Sequence, residues 1–98
     1  MNTITPPHKE FVDKILREVQ NYYQVNLFEK TRKRETVFPR QVAMYLIRTF
    51  TPLSLREAGE PFGKDHSVAI HSIKVVKNNC KNYPYIRQQI IEIESRIE

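Results

Sequence analysis

The side chains best suited to recognise another molecule lie together in residues 62–71, which read FGKDHSVAIH. Gly63 permits a left-handed turn, and Asp65 is a suitable cap for a helix that begins at His66. His66 and Ser67 then place hydrogen-bond donors and acceptors in the first turn of that helix. A helix start of this kind can enter the major groove of DNA and contact base edges. The segment therefore predicts a helix that reads DNA.

Positive charge is concentrated in two segments of the chain. The net charge is +5, from 16 Lys and Arg and 11 Asp and Glu. Residues 30–40 hold five basic residues and one acidic residue (+4), and residues 64–81 hold four and one (+3). Concentrated positive charge attracts phosphate and releases counterions, which favours a nucleic-acid partner. The alternative is a basic domain that has no such partner.

Length and composition limit the class of protein. The 98 residues, 40% of them hydrophobic, suffice for one domain with one modest core. A single cysteine, Cys80, excludes an intrachain disulfide and suits a reducing compartment. The polar start lacks the apolar segment of a signal peptide, and no apolar run approaches the roughly 18–20 residues that span a bilayer. We therefore expect a cytoplasmic protein with no membrane partner.

Apolar residues recur at three- and four-residue steps and predict an all-α domain of about five helices. A flexible leader is expected at residues 1–8, followed by one domain at 9–98. The predicted helices cover about residues 9–23, 36–50, 54–62, 66–79 and 85–97. Thr36 is the expected cap of the second helix, with Pro39 in its first turn. Ser54 and Glu57 form a capping box for the third helix, which Pro61 should shorten or distort.

The fourth predicted helix has two different faces. At about 100° per residue, the apolar side chains of Ala69, Ile73 and Val76 lie on one side and should face the core. The outward side chains are expected to be Ser67, Val68, His71, Lys74 and Val75. The short third helix, the turn and this fourth helix fit a helix-turn-helix, although any pair of antiparallel helices has similar spacing.

Several segments, in order and at the right spacing, resemble the C-terminal DNA-binding domain, domain IV, of the bacterial replication initiator DnaA. They are Arg32-Lys33-Arg34-Glu35, Pro39-Arg40-Gln41-Val42-Ala43-Met44-Tyr45-Leu46, Leu53-Ser54-Leu55, Gly59, Phe62-Gly63 and Asp65-His66-Ser67. The resemblance extends over about residues 11–97. It implies a Trp-repressor-like helical fold that binds double-stranded, A·T-rich DnaA boxes in replication initiation or its regulation.

The resemblance also implies roles for individual residues. Arg34 would enter the minor groove, and Asp65, His66 and Ser67 would face base edges in the major groove. His71 and Arg48 would meet phosphates, Arg40 and Gln41 would lie near the backbone or bases, and the helix start at Leu55 and Arg56 would brace one strand. The remaining candidate DNA-binding residues are Arg32, Lys33, Lys64, Val68 and Lys74.

The chain departs from the family pattern at two places near the turn. Gly63-Lys64 stands where the family has the longer Gly-Gly-Arg, and Val68 replaces the second of two hydroxyl residues. The ATPase module of the initiators is not part of this sequence. Residues 59–65 have the wrong spacing for a phosphate-binding loop and an Asp where Ser or Thr should hold magnesium.

Other classes of function have less support. His66 and His71 lie about 140° apart around a helix and Cys80 is alone, so we expect neither a metal site nor a cofactor. No arrangement of catalytic residues is evident, and we predict a monomer that is not an enzyme. The alternative to DNA binding is a protein-interaction module that binds a replication initiator or another replication or mobile-element protein.

Overall fold

The computed structural model describes residues 6–97, with side chains from His8 onwards. Over this range the chain forms five α-helices and no strand, as the sequence predicts. They are α1 (Pro6–Tyr23), α2 (Arg34–Phe50), α3 (Leu55–Gly59), α4 (His66–Asn82) and α5 (Pro84–Ile97), with a single 3-10 turn at Glu60–Phe62 between α3 and α4. None of these helices combines the length and apolarity needed to cross a membrane.

The core lies between α1 and its two neighbours α2 and α5, and α2 also packs against α3 and α4. The predicted stripe of α5 is buried at Ile86, Ile90, Ile93 and Ile97. α5 begins at Pro84, a position that has no need of a backbone N–H. The helix α4 is held between α2, α3 and α5. Its two ends therefore have different neighbours, and its first turns remain open to solvent.

The start of α2 differs from the prediction. The helix begins at Arg34 with Lys33 as its N-cap, and Thr36 is buried inside its first turn rather than capping it. Lys33 O already accepts hydrogen bonds from Thr36 N and Val37 N, so the helix begins three residues earlier than a Thr36 cap would place it. Pro39 consequently lies inside the helix, beyond the first turn.

Two other helix boundaries also differ from the prediction. α1 begins at Pro6, three residues before the predicted start, so residues 6–8 are helical rather than part of the predicted leader. Residues 1–5 lie outside the described part of the chain, and the leader stays a prediction there. α4 continues to Asn82, past the predicted end at Asn79, because Tyr83 N still donates to Asn79 O at 2.8 Å.

The inward face of α4 is wider than the sequence indicated. Ala69 and Val76 are buried as predicted, but Ser72 is also buried, and Ile73 is only half-buried. Val75 was expected to point outward and instead packs against the core. The second half of α4 contacts α5 as well as α2, so side chains on two adjoining sides of the helix lose contact with water.

Candidate nucleic-acid interface

The turn between α3 and α4 is built from a helix-ending motif centred on Gly63. Its φ of 65° is left-handed, Gly63 N donates to Glu60 O at 3.0 Å, and Lys64 N donates to Gly59 O at 3.0 Å. This pair of bonds is the Schellman arrangement, which satisfies helix carbonyls and reverses the chain direction. The left-handed conformation predicted for Gly63 is confirmed.

The third helix is short and distorted, as Pro61 suggested. α3 ends at Gly59, and Pro61 lies in the 3-10 turn that follows. The predicted capping box is present: Glu57 N donates to Ser54 Oγ at 3.1 Å, and Ser54 N donates to Glu57 Oε1 at 3.0 Å. The capping box satisfies backbone groups at the start of this small helix, which packs against α4.

The first turn of α4 presents a continuous exposed surface. Asp65 Oδ1 accepts a hydrogen bond from Val68 N at 3.1 Å and caps the helix, as predicted. His66, Ser67 and Val68 are exposed, and Val68 retains 38% of its accessible surface. The exposed side chains from the turn to the middle of α4 are Lys64, Asp65, His66, Ser67, Val68, His71 and Lys74. Because Oδ1 of Asp65 already accepts the capping bond, the carboxylate has its second oxygen and the remaining lone pair of Oδ1 for a ligand.

The basic loop before α2, here called the arm (residues 30–33), lies opposite this surface. A cleft of about 610 Å³ separates the two elements. Lys30, Thr31 and Arg32 line one side of it, and Lys64, Val68 and His71 line the other. Arg40, Gln41 and Met44 of α2 also line this space, which we call the arm–helix cleft. Lys64, one cation of the second basic segment, thus lines the same cleft as Lys30, Arg32 and Arg40 of the first.

Arg34 and Arg32 occupy different places. The Arg34 guanidinium carbon lies 5.3 Å from the centre of the Phe38 ring, one helical turn along α2, in cation–π geometry. Arg32 is the arginine of the arm that lines the cleft. The residue expected from the resemblance to enter the minor groove is therefore stacked on the protein's own helix, and Arg32, two positions earlier, lines the cleft.

The remaining predicted residues lie around this surface. Arg48 Nη1 donates to Leu53 O at 2.6 Å and so supports the connection from α2 to α3. Arg56 lines a second, smaller groove beside the turn, together with Lys64 and His66. Leu55 is half-buried at the start of α3, Lys33 is the N-cap of α2, and Lys74 is exposed one turn beyond His71.

Sequence reasoning missed two features of the cleft. Phe28 is 50% exposed, and the centre of its ring lies 5.6 Å from that of Phe62, so the aromatic pair adds an apolar wall. The second missed feature is the Arg40 side chain, whose Nη2 donates to Glu29 O at 2.9 Å and Thr31 O at 2.7 Å. Spacing along the chain could not signal these contacts, because the partners lie on separate segments.

Titratable groups with perturbed pKa values lie away from the cleft. Burial raises the pKa of Tyr23, Tyr45 and Cys80, which lie on α1, α2 and α4 against the core. Across residues 6–97, no three His, Cys, Asp or Glu side chains are grouped closely enough to hold a metal ion. The cleft therefore offers cations, amides and apolar groups as its binding chemistry.

Comparison with known proteins identifies a family that this chain matches. Residues 12–76 match the family model described as the bacterial dnaA protein helix-turn-helix. The chain belongs to this family. The DnaA match extends from α1 through the arm, the turn and most of α4, and so includes both sides of the cleft.

Individual proteins named chromosomal replication initiator protein DnaA also match this chain. Those of Thermoanaerobacter sp. (strain X514) and of Caldanaerobacter subterraneus subsp. tengcongensis are each 42% identical over 87 residues. The aligned region is 86% of this chain and 20% of each relative. The chain thus spans about one fifth of the length of these DnaA relatives.

Proposed function

We propose that this chain binds double-stranded DNA through α4 and the arm, prefers A·T-rich sites of the DnaA-box type, and serves replication initiation or its regulation. The observation that carries the proposal is the arm–helix cleft, a space of about 610 Å³ that is lined by Lys30 and Arg32 of the arm and by Lys64, Val68 and His71 of α4 and its turn. Membership of the DnaA helix-turn-helix family supports it.

The dimensions of DNA suit this arrangement. An α-helix with its side chains is about 10–12 Å across, and the major groove is about 12 Å wide. One sugar–phosphate strand separates a major groove from the adjacent minor groove. A protein that enters both grooves must hold that strand between its two elements, and the cleft has Lys30, Arg32 and Lys64 around it to neutralise phosphates.

Base recognition is assigned to the exposed first turn of α4. His66 and Ser67 offer hydrogen bonds to base edges, and the methyl groups of Val68 offer apolar contact to a thymine methyl. A valine in place of a hydroxyl exchanges a hydrogen bond for this contact. We expect His66→Ala to weaken binding to the preferred site by about 1–3 kcal/mol and to have little effect on other sequences.

In the minor groove we assign the reading role to Arg32 rather than Arg34. Arginine is favoured in narrow, electronegative A·T-rich minor grooves, and Arg32 already lies at the cleft while Arg34 stacks on Phe38. Arg32→Ala should therefore weaken binding and reduce the preference for A·T-rich duplexes. Arg34→Ala should have the smaller effect, and the reverse order would restore Arg34 as the groove-reading residue.

The direct test is a titration of labelled duplexes with and without DnaA boxes at several salt concentrations. Affinity should fall steeply with salt because phosphate contacts release counterions. Equal affinity for every duplex would remove the sequence preference, and an absence of salt dependence would remove the phosphate contacts. Failure to bind any duplex, with a replication protein still captured, would favour the protein-interaction alternative.

A matched pair of lysine variants distinguishes the loss of a local phosphate contact from the loss of one net positive charge. Lys64→Ala and Lys81→Ala each remove one exposed cation, but they lie near opposite ends of α4, which is 17 residues or about 25 Å long. We expect Lys64→Ala to weaken binding to all sequences and to lower the salt slope by about 1. Lys81→Ala should leave both quantities close to those of the unchanged chain.

A further inference from the structure

Arg40 ties the arm to α2. A single guanidinium nitrogen, Nη2, donates to the backbone carbonyls of Glu29 and Thr31 at 2.9 and 2.7 Å. Arg40 Nε lies buried without an acceptor, so the base of the guanidinium is enclosed by protein rather than extended into solvent. This geometry directs the guanidinium group at the arm.

Other hydrogen bonds also contribute to the shape of the arm. Leu27 is fully buried and its N–H donates to Gln20 Oε1, which anchors the chain before the arm. Within the arm, Thr31 N donates to Glu29 O at 3.0 Å and Lys33 N donates to Thr31 Oγ1 at 3.2 Å. These local bonds are exposed, whereas the two bonds from Arg40 join the loop to a helix of the core.

The arm needs such a tie because its charges repel one another. Lys30, Arg32 and Lys33 are exposed cations within four residues. A loop of like charges tends to extend into solvent, and a loop that must be ordered upon binding loses affinity in proportion to the freedom it gives up. Charged donors form stronger hydrogen bonds to carbonyls than neutral donors do, so Arg40 is well suited to hold the loop.

We propose that Arg40 is a positioning residue that holds the arm in its DNA-binding shape before DNA arrives. The functional part of this inference rests on the proposed function, since Arg40 acts on DNA through Arg32 and its neighbours. A direct contact between Arg40 and phosphate is the competing role. The two roles predict different results for the protein without DNA, because only the positioning role affects the arm when no DNA is bound.

The first measurement is therefore amide hydrogen exchange without DNA, in the unchanged chain and in Arg40→Met and Arg40→Lys. Arg40→Met keeps an unbranched apolar stem, and Arg40→Lys keeps the charge but loses the planar fork. The Thr31 and Lys33 amides should exchange on the order of tenfold faster in both variants, as expected for loss of hydrogen bonds from a charged group. Amides in the middle of α2 and α5 should be unchanged, which shows that the fold is intact. Unchanged exchange in the arm would overturn the proposal.

The second measurement is a double-mutant cycle on an A·T-rich duplex with Arg40→Met, Arg32→Ala and both together. Arg40→Met alone should weaken binding about tenfold, and in the Arg32→Ala background about twofold or less, because the group it positions is gone. Additive losses would overturn the proposal, as would full DNA affinity in Arg40→Lys with a loosened arm. If the unchanged chain binds no duplex, the proposed function fails, while the exchange experiment still decides whether Arg40 fixes the arm.

Discussion

A methyl group added at Gly59 should displace the turn that leads into α4. An alanine Cβ at this position would lie 2.6 Å from the Lys64 carbonyl oxygen and 3.3 Å from that of Asp65. Side-chain carbons almost never approach another atom closer than 3.0 Å, and both neighbours here are backbone atoms that cannot rotate away. The turn must therefore move away from α3, and the cap of α4 must move with it.

The size of the effect follows from two opposing contributions. Gly59 has φ −85° and ψ −14°, a helical conformation that alanine adopts readily, and alanine is favoured over glycine in a helix by about 1 kcal/mol. Forcing an extra methyl group into a packed site costs about 1–3 kcal/mol. We expect Gly59→Ala to lower the free energy of unfolding by about 1 kcal/mol, and DNA affinity to fall on the order of tenfold because His66 and Ser67 are displaced.

Gly63→Ala is the matched control. No atom lies within 4 Å of a Cβ built there, so the substitution displaces nothing, but its φ of +65° imposes about 1–2 kcal/mol of backbone strain. Chemical denaturation should show a loss of stability in both variants. Duplex titration, at a temperature where both are folded, should show a loss of affinity in Gly59→Ala alone. A Gly59→Ala variant as stable as the unchanged chain, or equal affinity losses in the two variants, would refute the reasoning.

Three further predictions concern stability. Ser54→Ala removes the capping box and should cost about 1 kcal/mol in chemical denaturation, whereas Ser95→Ala on α5 should cost little; equal losses would contradict a special role for the cap. Arg48→Ala should cost about 1 kcal/mol through the lost bond to Leu53 O and weaken binding to all duplexes alike, and an effect confined to one duplex would argue against it. Burial raises the pKa of Tyr23 above its ordinary value of 10.0, so above pH 10 the folded state binds more protons than the unfolded state and stability falls as pH rises. Tyr23→Phe should flatten that fall in denaturation curves measured at pH 9 to 11, and an unchanged slope would exclude Tyr23 as its source.

The elements around the turn could be predicted because their causes are local. Ser54 and Glu57 cap α3, Gly63 adopts a left-handed conformation, and Asp65 caps α4, all through bonds that span five residues or fewer. The isoleucine spacing of α5 likewise records a helical period. The wrong prediction of Thr36 as a cap also has a local cause. Thr36 is a good capping residue, but backbone hydrogen bonds to Lys33 O begin the helix before it.

The sequence by itself determined that the chain is helical, that a turn enters a polar-faced helix, and that positive charge lies in two segments. Only the tertiary structure decided that the arm and the start of α4 line one cleft, since hydrogen bonds from Arg40 to carbonyls 9 and 11 residues away set the path of the arm. It also decided that Val75 faces the core, because the position of α5 rather than the period of α4 determines which sides of that helix are covered. Contacts between segments distant in sequence depend on packing geometry, which no local pattern of residues encodes.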